Sequence, residues 1–204
     1  MDEDFKYFLD TLGPTTDKRH VPPSSIDRYR GKLPDQLLAY WQEHGWSGYA
    51  DGLFWTVNPQ EYQSVLEAWI GQTPFVEQDT YHLIARSAFG TLYFLGEKHG
   101  FTLKISAVGS YATPQYPSSA LSLDTLAQRF FSYRDREESD FADLFTPALK
   151  KLGRLAPNEM FGFIPALALG GPATLEHLQK VKTVEHLVFL AQLSELRVMD
   201  SSSP

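Results

Sequence analysis

Apolar residues open the chain at Phe5, Phe8, Leu9 and Leu12, until Gly13-Pro14 breaks the pattern. Residues 15–25 are polar around Pro22-Pro23 and read as a connector. Leu33-Pro34-Asp35 starts a firm helix, with proline and an acid in the first turn; Leu37, Leu38, Trp41 and His44 share one side, and Gly45 stops it. A second helix is expected after Asn58, which can cap. Pro59 suits its first turn, Glu61 stands where a capping box needs an acid, and Gly71 closes it. Tyr62, Val65, Leu66 and Trp69 form a stripe to be buried, against a sheet that includes residues 53–57.

Between 81 and 106 the period shortens. Residues 81–85, 91–95 and 101–106 read as a three-stranded meander, with Phe101, Leu103 and Ile105 alternating with Thr102, Lys104 and Ser106 in the last strand. Gly96-Glu97-Lys98-His99-Gly100 supplies the tight turn before it. Pro114 and Pro117 among Ser, Thr and Tyr mark residues 109–119 as a linker or domain boundary. Helical spacing returns at Leu123, Leu126 and Phe130, and at Phe141, Leu144, Phe145 and Leu149, the latter helix ending in Lys150-Lys151 and Gly153. Residues 160–169 read as a short apolar strand that Pro165 confines to an edge or cuts in two, and Gly170-Gly171-Pro172 turns the chain. Two closing helices follow, with Thr174 and Thr183 as caps, the last burying Val184, Leu187, Val188 and Ala191. A disordered tail is expected over 199–204.

These elements predict an α+β protein: an antiparallel or mixed sheet flanked by helices in the N-terminal part, and a mainly helical C-terminal part with a short strand segment. Within 204 residues, 43% hydrophobic and 14% aromatic, there is enough apolar material for a core without cross-links. The chain has no cysteine, which removes disulfides, thiolate nucleophiles and cysteine-based metal centres. Its opening, Met1-Asp2-Glu3-Asp4-Phe5, lacks the basic, apolar pattern of a secretory signal, and no apolar run approaches the ~18 residues of a membrane span. A cytoplasmic location is expected. The net charge of −7 disfavours nucleic acid as a partner and favours a basic protein.

Catalytic patterns fail one by one. Gly45-Trp46-Ser47-Gly48 has its second glycine one residue too early for a nucleophile elbow. His20, His44, His82, His99, His177 and His186 show no metal-ligand spacing, and Glu176-His177 and Glu185-His186 read as first-turn residues beside capping threonines. Gly170-Gly171-Pro172 lacks the lysine and hydroxyl of a phosphate-binding loop. No cofactor or metal is therefore expected. A hydrolase built on His44, Asp51 or His99 is the remaining enzymatic alternative, without a visible nucleophile and base.

Binding features are better represented. The segment 134–143 carries Asp135, Glu137, Glu138, Asp140 and Asp143 against two arginines, either a negative ridge for a basic partner or a solvated helix start. Glu77 and Asp79 form a smaller acidic place before the meander. Trp46 and Tyr49, in the loop 45–52, are interface anchors if exposed and core residues if not.

The run Leu33-Pro34-Asp35-Gln36-Leu37-Leu38-Ala39-Tyr40-Trp41-Gln42-Glu43-His44-Gly45, with Tyr49-Ala50-Asp51-Gly52-Leu53-Phe54 and Asn58-Pro59, resembles the GAD-like domain. The run Phe161-Gly162-Phe163-Ile164-Pro165-Ala166-Leu167-Ala168-Leu169-Gly170-Gly171, with Leu178-Gln179-Lys180-Val181 and Glu185-His186-Leu187, resembles the C-terminal domain of type VI secretion immunity proteins. The expected division is 1–112 and 118–198. This resemblance implies a bacterial cytoplasmic antitoxin that binds a cognate secreted nuclease toxin, typically a DNase, and blocks it without catalysis. The motif residues themselves are turn glycines, helix prolines and apolar positions, so contact residues are not carried over from the resemblance. Leu-Pro followed by an amphipathic helix and glycine is also shared with the SUKH superfamily, which leaves a regulatory or scaffold partner as the alternative.

Overall fold

The computed structural model describes residues 2–100, 102–116 and 121–199. Helix α1 (Glu3–Leu12) starts at Asp2, whose carboxylate accepts the Phe5 N–H at 2.9 Å, and ends at Gly13. β1 (Thr16–Arg19) and α2 (Pro23–Tyr29) follow. Both lie where a connector is expected: a strand of four polar residues at a sheet edge and a seven-residue helix carry too little periodicity to be read. α3 (Asp35–His44) forms as expected and ends at Gly45, with φ 71°. A side chain there would collide with the Arg19 carbonyl, since an added Cβ would lie 2.3 Å from it, so β1 can pass close by only over glycine.

β2 (Trp46–Tyr49) and β3 (Phe54–Thr56) form the next hairpin. Asn58 caps a short 3₁₀ turn, Pro59–Tyr62, that leads into α4 (Gln63–Ile70). The capping box is not closed, because the Glu61 carboxylate turns to Arg19 in a bidentate pair, both contacts at 3.0 Å. After α5 (Phe75–Gln78), the meander appears as β4 (Tyr81–Ser87), β5 (Thr91–Gly96) and β6 (Thr102–Ser106); Phe101, expected to begin the last strand, lies outside the described residues. β7 (Tyr111–Gln115) then occupies the expected linker, pairing antiparallel with β6. Its Pro114 faces Leu103 on one side and lies beyond the reach of the short strand on the other, a place where a missing N–H costs little. Residues 117–119 of that linker are outside the described residues.

The C-terminal part contains α6 (Leu123–Ser132), α7 (Arg136–Ser139), α8 (Phe145–Leu152), β8 (Glu159–Phe163), β9 (Leu178–Lys182), α9 (Thr183–Ala191) and β10 (Arg197–Val198). β9 stands where the first closing helix is expected. Only a single 3₁₀ turn, Leu175–His177, keeps the helical spacing, and pairing with β8 from Glu159↔Lys182 to Phe163↔Leu178 draws the rest into a hairpin. On α9 the buried side is Thr183, His186, Leu187 and Leu190, rotated from the expected stripe. Met199 donates its N–H to the Ala112 carbonyl, so the first residue of the expected tail continues the sheet; residues 200–204 lie outside the described residues.

The main sheet runs β1-β2-β3-β4-β5-β6-β7-β10, antiparallel until β10 joins β7 in parallel, so the fold is α+β with a mixed sheet. Alternation along β3 sends neighbouring rings to opposite faces. Phe54 meets Phe8 of α1 and Phe130 of α6, while Trp55 lies under the buried Arg86 guanidinium at 5.2 Å. Arg86 in turn donates to the Tyr62 hydroxyl and to the carbonyls of Pro157 and Glu159, replacing a counterion with oriented dipoles. Trp69 of α4 donates to the Leu187 carbonyl of α9 at 3.0 Å, and residues from both halves of the chain share one buried cluster.

Candidate protein-binding surface

Three of the five acids in the segment 135–143 are occupied by the chain itself. Asp135 caps α7, accepting the Glu138 N–H at 2.7 Å. Asp140 accepts the N–H groups of Phe141 and Phe145 at 2.7 and 2.9 Å, ordering the start of α8. Glu138 lies between two cations, accepting from Lys104 Nζ at 2.7 Å and facing Arg134 Nη1 at 2.9 Å. The Arg134 side chain is only 6% exposed; its guanidinium lies over the rings of Tyr93 and Phe130, and its Nε–H donates to the Phe130 carbonyl. Burial beside this group pushes the Tyr93 hydroxyl up to about 12. Glu138 thus neutralises a buried cation and ties α7 to β6. Glu137 and Asp143 are exposed, with no ion pair or hydrogen bond of their side chains among the described residues. Asp143 and Ala142 have φ of 57° and 50°, so the link from α7 to α8 turns through left-handed backbone.

Asp79 does not form an exposed acidic place with Glu77. Its carboxylate is fully buried and accepts the N–H groups of Thr80, Lys98 and His99, clamping the turn between β5 and β6. Gly96 makes room for it, since an added Cβ would stand 2.4 Å from the carboxylate. Burial pushes the Asp79 carboxyl up, but those backbone donors outweigh it and hold it below the ordinary carboxylate value. Glu77, on α5, remains exposed.

Trp46 and Tyr49 are core residues, 5% and 1% exposed, which removes them as anchors. Tyr49 meets Phe8 edge-on at 4.7 Å, and Trp46 meets Trp41 at 5.9 Å. Exposed rings are found elsewhere, among them Tyr7 on α1, 59% exposed, and Tyr133, just after α6, 66% exposed. Together with Glu3, Asp4, Arg129 and Ser132 they line one wide concavity of about 650 Å³. Tyr133 and Arg129 also wall a neighbouring groove of about 220 Å³ that includes Tyr116, Gln115 and Leu126. The phase of the sequence could have found Tyr7, which falls off the buried stripe Phe5, Phe8, Leu12; Tyr133 follows the end of α6 in phase with Leu126 and Phe130, so helical spacing alone does not turn it outward.

The enzymatic candidates are on separate elements with other work. His44 stacks on Phe5 at 4.6 Å, and burial holds its imidazole below the ordinary value. Asp51 sits exposed in the turn between β2 and β3, at φ 61°, and His99 faces Asp79 at 3.4 Å. Ser47 is fully buried, donating its hydroxyl to the His44 carbonyl. No cluster of three or more His, Asp or Glu residues able to hold a metal ion occurs among the described residues. No helix among them is long and apolar enough to cross a membrane.

A search of curated proteins gave no match. Among solved structures, the chain is similar to the crystal structure of Atu4351 from Agrobacterium tumefaciens, at 22% identity and a TM-score of 0.86, over 98% of this chain and 94% of that one; this establishes a shared fold. Residues 3–109 match the GAD-like domain, and residues 124–194 match the C-terminal region of the T6SS immunity protein Tdi1. The chain therefore belongs to the GAD-like domain family and carries, behind that domain, the C-terminal domain of a type VI secretion system immunity protein.

Proposed function

We propose that this protein is an antitoxin that binds a cognate type VI secreted toxin, a DNase, in the cytoplasm and silences it stoichiometrically. The observation that carries the reading is the match of residues 124–194 to an immunity-protein domain. The chemistry of the surface agrees with it. A net charge of −7 suits a partner whose own function requires a basic, DNA-gripping surface, and the same charge keeps the antitoxin itself off nucleic acid. Glu137 and Asp143, on α7 and on its link to α8, present free carboxylates that steer encounter, and Glu77 adds a third exposed acid elsewhere. Inhibition requires no bond to be made or broken. It follows from covering the toxin's active cleft or DNA track, or from displacing its catalytic residues.

Titration of the DNase recovered as this chain's stoichiometric partner from its native cell tests the reading. Cleavage of linear DNA should fall in proportion to added protein and vanish at one equivalent. Undiminished cleavage at a tenfold excess would contradict it.

A further inference from the structure

We infer that the toxin docks on the concavity between α1 and the end of α6, with an arginine or lysine side chain of the toxin seated between Tyr7 and Tyr133. This deepens the antitoxin reading and rests on it.

The two rings come from positions 126 residues apart in sequence, yet line the same hollow. Folding does not account for their exposure. The buried side of α1 is complete with Phe5, Phe8 and Leu12, and that of α6 with Ala127, Phe130 and Phe131. Two large, half-apolar rings left in water at one place form the sort of patch that a protein partner covers, because tyrosine buries much area at little entropic cost.

The charge of the hollow selects the occupant. Glu3 and Asp4 place two carboxylates on its α1 side against a single guanidinium, Arg129, on the α6 side. A cation entering the hollow would meet two tyrosine rings and two carboxylates, all from residues that line the same space. Arg129 bars a second cation and favours an acid next to the first, which makes the partner's contact segment a basic side chain flanked by a carboxylate. The hollow is too open to hold a small molecule by enclosure, and suits a protruding segment of a protein.

Its walls are rigid before any partner arrives. Asp2 caps α1 and also accepts the Tyr40 hydroxyl at 2.6 Å and the Gln36 amide at 3.3 Å, fastening the helix start to α3. Phe5 then stacks on Tyr40 at 4.1 Å and meets Phe131 at 5.1 Å, which sets α1 against α6. Little ordering entropy is left to be lost on binding.

The test measures binding to a catalytically inactive form of the toxin recovered as this chain's stoichiometric partner. The Tyr7→Ala, Tyr133→Ala double variant should weaken the dissociation constant by about 100-fold, while its Tm stays within a degree or two of the native chain. Tyr111→Ala, which removes an exposed ring from β7, should leave affinity unchanged. The Glu3→Gln, Asp4→Gln variant should slow association and flatten its salt dependence. If the native chain binds and the tyrosine double variant binds within threefold of it, the docking site is elsewhere and the antitoxin reading stands. If the native chain does not bind, both fall together.

Discussion

The segment 135–143 and the α1–α6 hollow are both acidic and both lie at helix ends, but they use their carboxylates in opposite ways. In the segment, Asp135, Glu138 and Asp140 accept backbone N–H groups or meet cations at 2.7–2.9 Å, and leave Glu137 and Asp143 free. In the hollow, Glu3 and Asp4 stand beside rings that the core does not claim. A high local density of acid therefore says little about how much charge a partner can reach. Availability depends on which backbone donors and buried cations have already been satisfied.

That contrast is broken most severely at Glu138. Glu138→Ala strips the buried Arg134 of its counterion and should cost about 3 kcal/mol of stability, read as a lower midpoint in urea unfolding. Asp140→Ala leaves the N–H groups of Phe141 and of Phe145, the first residue of α8, without their acceptor and should cost about 1–2 kcal/mol by the same measurement. Neither change should alter the affinity of the remaining folded fraction for the toxin. A loss of stability below 0.5 kcal/mol at Glu138 would mean that its carboxylate is available after all.

Proton linkage sharpens the comparison on the acid side. Asp79 has a folded value below the ordinary 3.8, so its contribution is present above that value and is lost as pH falls through the lower folded one. Asp79→Asn should destabilise the chain near neutrality and flatten the acid limb of a plot of unfolding free energy against pH. His44 and His186 act earlier in the descent. Burial lowers both imidazoles from 6.5, so the folded state resists their protonation, and stability should decline as pH falls below that value. A flat profile between pH 7 and pH 5 would contradict the placement of both rings.

The smallest effect on stability belongs to the free acids. Glu137→Lys with Asp143→Lys should change unfolding free energy by less than about 0.5 kcal/mol, while slowing association with the nuclease by a few-fold at low salt. Stopped-flow mixing at two ionic strengths checks the second part.

Much of the fold was legible where one period held for several turns. The α3 helix, the meander of β4, β5 and β6, and α6 all follow spacing and punctuation that local physics enforces. Reading failed where tertiary pairing overrode a short segment. β1 is a polar four-residue edge strand, β7 carries a proline, and β9 has the leucine spacing of a helix but a partner in β8. For the binding surface, composition pointed to the acids and to aromatic density, and both misled in the same way. Asp79 is buried because its loop folds inward over the β5–β6 turn, and Trp46 and Tyr49 because the expected loop that carries them is strand β2, paired on both sides within the sheet. Tyr7 was recoverable from helical phase, since it sits off the complete apolar stripe of α1, whereas Tyr133 stands just past α6 in phase with Leu126 and Phe130 and was not.

Side-chain footprinting of the chain with and without one equivalent of the inactive nuclease tests the central claim most directly. Tyr7 and Tyr133 should lose most of their reactivity towards hydroxyl radicals on binding, with Tyr111, in β7 beside the edge strand β10, unchanged as an exposed reference. Full reactivity of both rings in a complex that has silenced the nuclease would contradict the account.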